Sequence, residues 1–350
     1  MRQRMRRPKR EGVASTVGTI MALLVFLTFL SLIVNQYVPV WMKDSEAAHM
    51  NVALGQISDF KSSVDLQMLS MRVAQQSRTH HIPLAAFTPV ALGIDGVPIF
   101  SSPTVGTLES RPNESPWSVE FRKNVTLQSG GSTTYSIVER SSGTIQLTVP
   151  NRYYVPQALI YENGAVIKSQ GDGDFVRVEP PFSVLRNNQS VEIGYTLYSL
   201  FGASSLTGTS TEGIHHKVIG DDVFAHEDLR SDVFINATTR HGLAWYNYFN
   251  KTLAGAYDVS GIDYQGGTCS SGTYRFCRNI AGGIVTFVWV RNPFYYVSAS
   301  WVPATRTYTF NVQIFNDVAG TNPTVPTIVL FALEHGYVNT AVGTISAGGI

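Results

Sequence analysis

By its pattern of apolar and polar positions alone, the chain divides into two unlike parts. Val13 to Val34 is a run of 22 residues without a charged side chain. At 1.5 Å rise per residue, about 20 apolar residues cross the hydrocarbon core of a bilayer, so this run predicts a membrane-spanning helix. Polar residues then appear, but the helical period persists. Met50, Ala53, Ile57, Phe60, Val64, Met68 and Met71 recur at steps of three and four, which makes one apolar stripe. Pro39, between the two stretches, predicts a kink. From Val13 to about Gln76 the rod would be roughly 95 Å long. Its lower stripe suits two partners: the chain's own globular part, or a coiled coil between copies.

After residue 78 the period changes. Short runs rich in β-branched and aromatic residues alternate with Gly, Pro, Asn and Ser, as antiparallel sheets require. "STTYSIVERSSGTIQLTV" reads as two strands about a Ser-Ser-Gly turn, and "ALIYENGAVIKSQ" carries Asn163-Gly164, a strong hairpin signal. "SVEIGYTLYSLFG", "GGIVTFVWVRNPFYYVSASWV" and "RTYTFNVQIFND" are further strands. "INATTRHGLAWYNYFNKTLAGAY" predicts a strand leading into one amphipathic helix, with Trp245, Tyr246, Phe249 and Leu253 facing a core. The expected architecture is a long N-terminal transmembrane α-helix followed by a mainly β, antiparallel, sandwich-like ectodomain with one short helix. Its parts are a basic leader (1–12), the transmembrane and extended amphipathic helix (13–78) and a β-rich extracytoplasmic domain (79–350). Whether the last holds one β-domain or two is open.

Charge sharpens this picture. The net charge of +1 hides an asymmetry, because Arg2, Arg4, Arg6, Arg7, Lys9 and Arg10 supply six of the 26 basic residues. Without residues 1–12 the chain keeps 20 basic residues against 24 acidic ones. Such a body lacks the basic face that nucleic acid demands. Cations just before the apolar run place the N-terminus in the cytoplasm and the body outside. Tyr37 and Trp41 fall where an interfacial aromatic belt belongs. A removable secretory signal has a shorter apolar core and a small-residue cleavage site, and "VNQYVPVW" offers none.

"EGVASTVGTIMALL", from Glu11 to Leu24, resembles the N-terminal signature of archaeal type IV pilins and archaellins. Gly12 and Gly18 keep that signature's spacing, and Val13, Val17, Thr19 and Ile20 fit it; Glu11 stands where a basic residue is usual. The resemblance covers about the first 60 residues and implies a prepilin peptidase that cuts at the Gly12–Val13 junction. It further implies membrane assembly machinery and self-association through the N-terminal helix. The implied role is a structural or adhesive surface protein, such as a minor or accessory subunit of an archaeal type IV filament. Small residues at the start of the helix (Gly12, Ala14, Ser15, Gly18, Thr19, Ala22) suit close approach of helices in lipid. Two other functions stay open: a permanently anchored surface protein that binds a ligand or glycan, and an ectoenzyme of hydrolase type.

Candidate chemistry is sparse. Asn113, Asn124, Asn188, Asn236 and Asn250 each begin an N-x-Ser/Thr sequon and are glycosylation candidates, consistent with an exterior glycoprotein. Cys269 and Cys277 are the only cysteines and suggest a local disulfide or two unpaired thiols. "HEDLR" starts like a zinc-protease motif but has Arg230 in place of the second histidine. The pairs His80-His81 and His215-His216 are expected at solvated loops or strand edges; Asp172 and Asp174, two apart in "GDGDF", are expected in a turn, with a Ca²⁺ site as the alternative. No catalytic set, resident metal or cofactor is expected.

Overall fold

The computed structural model describes residues 11–97, 100–126, 131–227, 229–259, 275–318 and 325–343. It has one long apolar N-terminal helix followed by a mostly β body with one short helix. Helix α1 (Glu11–Leu32) passes through a π-helical turn, Ile33–Tyr37, into α2 (Val38–Gln76). The π turn is where the sequence predicts a kink. Pro39 has no N–H for the preceding turn, and its ring presses on the carbonyl four residues back. The helix responds by widening one turn, with the Val38 N–H reaching the Ile33 carbonyl five residues back.

Three sheets build the body. The five-stranded sheet runs β1 (Ala86–Ala91), β12 (Thr211–His226), β18 (Thr327–Val342), β10 (Ser190–Phe201) and β9 (Phe182–Asn187). The six-stranded sheet runs β11 (Ser204–Gly208), β2 (Gly106–Arg111), β5 (Thr144–Val149), β6 (Gln157–Glu162), β7 (Ala165–Gln170) and β8 (Gly173–Val178). The seven-stranded sheet runs β14 (Arg275–Ala281), β15 (Ile284–Arg291), β16 (Tyr295–Val302), β17 (Thr307–Ile314), β13 (Val233–Thr239), β3 (Trp117–Thr126) and β4 (Ser132–Ser141). Helix α3 (Gly242–Ala256) lies against β16, β17, β8 and β9.

Among the described strands pairing is antiparallel apart from β10 with β18, which run parallel. No short turn joins those two, so nothing local forces them antiparallel; the chain between them makes the crossover. The predicted Asn163-Gly164 hairpin joins β6 to β7, with positive φ at both turn residues (43° and 79°) as a type I′ turn demands. The Ser-Ser-Gly turn is different. Its strands β4 and β5 form as expected but belong to different sheets, so the turn is a corner between layers.

Two apolar cores share strands. In the first, the α2 stripe from Met50 to Met71 packs on Val90, Ile145, Leu147, Leu159, Tyr161, Tyr198, Ile214 and Val338. The second gathers α3, the seven-stranded sheet and the other faces of its neighbours, around Trp117, Trp245, Phe249 and Phe310. Along β6, Leu159 and Tyr161 enter the first core while Ile160 enters the second. On β10, Tyr198 and Leu200 face the first, and Ile193, Tyr195 and Leu197 the second. Alternating side chains on a strand point to opposite faces, so one strand serves both cores. All seven residues of the predicted stripe are buried against the chain's own body. That face is therefore closed to a coiled coil between copies.

Candidate functional site

The candidate site is the N-terminal helix together with what seats it. Every described side chain from Ser15 to Phe29 is exposed, including Phe26 at 62% and Phe29 at 65%. A helix apolar on all sides and covered by none of the chain's described residues is the form a bilayer solvates. Several of its polar groups bond back to the helix itself. The Thr19 hydroxyl donates to the Ser15 and Thr16 carbonyls, that of Thr28 to Val25, and the Asn35 amide to the Ser31 hydroxyl. Together Ser15–Gln76 contain one candidate membrane span by length and composition, which fits a single-pass membrane protein.

The exposed run ends where the body begins. Val38 and Met42 are buried, while Tyr37 and Trp41, one position earlier in each turn, point outward with ring centroids 6.0 Å apart. One turn on, the fully buried Glu46 accepts from the backbone N–H groups of Arg152 (3.0 Å), Tyr153 (2.8 Å) and Tyr154 (2.6 Å) and from the Thr104 hydroxyl (2.7 Å). Burial opposes its ionisation, but these donors outweigh it and hold the pKa below the usual glutamate value. Further down α2, polar side chains complete strand edges. The N–H and carbonyl of Ala91, on edge strand β1, pair with Gln56 and His49. Gln67 accepts from the N–H of Val218, at the bulge between Val218 and Gly220. The Tyr198 hydroxyl donates to Asp65, the Gln75 amide to Asp221, and Arg72 pairs with Glu334. These contacts join α2 rigidly to the β body.

A second polar group lies at the start of α3. Glu162, wholly buried, accepts from Trp245 Nε1 (2.8 Å), Thr239 (2.9 Å) and Ser115 (3.1 Å). Burial raises its pKa, against the lowering influence of His241 and those donors. His241 pairs with Asp174 at 2.8 Å. Burial alone would lower its pKa; Asp174, Glu162 and Glu114 reverse this and raise it. The three hydroxyl and indole donors to Glu162 tie β6, β13 and α3 together, which is a packing role.

The residues singled out in the sequence are dispersed. Gly12 and Val13 fall in the first turn of α1. Asn113 and Asn188 are exposed in turns, and Asn124 and Asn236 are half-buried in β3 and β13. Asn250 is only 4% exposed and accepts from the Tyr295 hydroxyl inside the second core, so the folded protein has no room for a glycan there. Cys277 is in a disulfide; Cys269 lies outside the described residues. His215 and His216 are not solvated as expected. They are buried on opposite faces of β12, His215 against Phe87 and His216 against Phe60, with His216 Nε2 2.8 Å from Ser63. His226, in "HEDLR", is buried against Phe121, and burial followed by Lys123 lowers its pKa to about 4. Among the described residues no group of three or more His, Cys, Asp or Glu could hold a metal ion. The Glu46 seat was not foreseen; close to Asp44, and among the first charges past the apolar run, nothing in the sequence sets it apart.

No known family model matches the chain, and no solved structure matches it. It is similar to an uncharacterized protein of Archaeoglobus fulgidus, 23% identical over 267 residues. That match covers 73% of this chain but only 40% of the relative, so the chain spans well under half of that protein.

Proposed function

We propose that this chain is a pilin-like surface protein whose N-terminal helix holds it in the membrane and assembles with copies of itself, the β body facing outward. One observation carries this: an apolar helix bare on every side continues, without a break in the chain of helical turns, into a helix built into the body's core. A tether needs no such rigidity, whereas a subunit that transmits position from helix to body does. An archaeal relative agrees with the resemblance of Glu11–Leu24 to archaeal pilin starts. Gly12 and Val13 would then be the processing junction for a prepilin peptidase, and the basic leader would lie in the cytoplasm. The body's work would be structural or adhesive, as a main or accessory subunit.

The test is the mass of the mature chain from native membranes. A start at Val13, lost in Gly12→Val, supports the pilin route. An intact Met1 supports the second reading, a permanent anchor that presents a ligand-binding body.

A further inference from the structure

Between the last turns of α2 and the face of the five-stranded sheet lies a groove of about 580 Å³, with Arg72, Pro181, Phe182, Thr196, Val223 and Glu334 among its lining residues. That is within the ~300–1,000 Å³ typical of small-ligand sites. Its floor is polar where a packed sheet would be apolar. Glu334 is 7% exposed; its Oε2 takes bonds from Arg72 and from the Thr196 hydroxyl, while Oε1 has no partner among the described residues. The Nε of Arg72 is also without one. A carboxylate's terminal torsion is broad and two-fold, so exchanging its oxygens still leaves one of them without a partner. Buried groups left this way are costly, which makes them informative.

The charges narrow the occupant. A cation would meet Arg72, whose side chain is 39% exposed. An anion would meet Glu334, whose pKa is raised chiefly by burial, with Asp221 adding to the rise. A neutral molecule carrying adjacent hydroxyls suits both, one O–H donating to the carboxylate and a neighbouring oxygen accepting from the guanidinium. Pro181 and Phe182, both half-buried, with Val223, 46% exposed, supply an apolar wall for the C–H face of a sugar ring. An extended peptide fits less well. Glu334 lies on β18, an inner strand bonded on both sides, so a peptide over it finds no free ladder to join. We infer that this groove binds a short neutral oligosaccharide, with Glu334 and Arg72 reading its hydroxyls. The inference stands whether or not α1 assembles into filaments.

The full chain, in a detergent without a sugar headgroup, is tested against immobilised maltotriose, cellotriose, mannotriose and the N-acetylglucosamine trimer. Spermidine, citrate and an extended peptide serve as comparison probes. Retention on at least one saccharide is expected. Val223→Trp, which fills the groove from its rim and leaves the buried pair intact, should lower affinity at least about tenfold with an unchanged melting temperature. Glu334→Gln should lower affinity as much but also lower the melting temperature, because it breaks the Arg72 pair that ties α2 to the sheet, and Tyr135→Ala, on β4, should change nothing. Retention on none of the four sugars, retention insensitive to Val223→Trp, or retention only of spermidine, citrate or peptide overturns the proposal.

Discussion

Glu46 shows how much of the molecule's geometry can rest on one side chain. Its carboxylate collects three backbone N–H groups and a hydroxyl from two loops, all at hydrogen-bond distance. In Glu46→Gln the new amide would face those same donors, so a loss of about 2–4 kcal/mol in unfolding free energy is expected, read by denaturant titration. Its folded pKa is depressed below 4.5, so the stabilisation is present above that value and disappears as pH falls through the lower, folded one. His241 has the opposite sign. Its folded pKa is raised above 6.5, so its contribution is complete below 6.5 and is lost as pH rises through the folded value. Melting temperature measured from pH 6 upward should therefore fall, and the slope should flatten in His241→Gln. At Gly164, where φ is 79° and an added Cβ would come within 2.6 Å of the Tyr198 ring, Gly164→Ala should destabilise by about 1–3 kcal/mol.

The elements differ in how legible they were in the sequence, for physical reasons. Helix α2 announced itself because its seven apolar positions obey one period over six turns, and α3 because Trp245, Phe249 and Leu253 do the same in brief. Phe60, fully buried between Tyr161 and His216, is the centre of that α2 face; Phe60→Ala should cost about 3–5 kcal/mol by calorimetry. The β6–β7 hairpin was legible through two residues that tolerate positive φ. What sequence pattern does not encode is which strands meet. Nothing in Ser190–Phe201 names the parallel partner β18, and the corner at Ser142-Gly143 has the residues of an ordinary turn. The two faces of β6 and β10 are both apolar because two cores share them, which is why no boundary could be drawn in residues 79–350. The Glu46 seat escaped because its partners are backbone groups about a hundred residues away, and main-chain donors have no sequence signature.

For the whole molecule, burial begins at Val38, immediately after the bare helix. A chain starting at Val38 should therefore keep its fold, with a β-rich circular dichroism spectrum, and remain soluble without detergent, whereas the full chain should need it. The same division of surface underlies the proposed membrane arrangement: α1 in lipid, α2 as a rigid post, and the three sheets on the outer side. Labelling of Leu185→Cys tests this most directly, since Leu185 is 65% exposed on edge strand β9. On intact cells carrying this variant, a membrane-impermeant maleimide should label the cysteine as fully as it does after lysis; labelling that appears only after lysis would contradict the account.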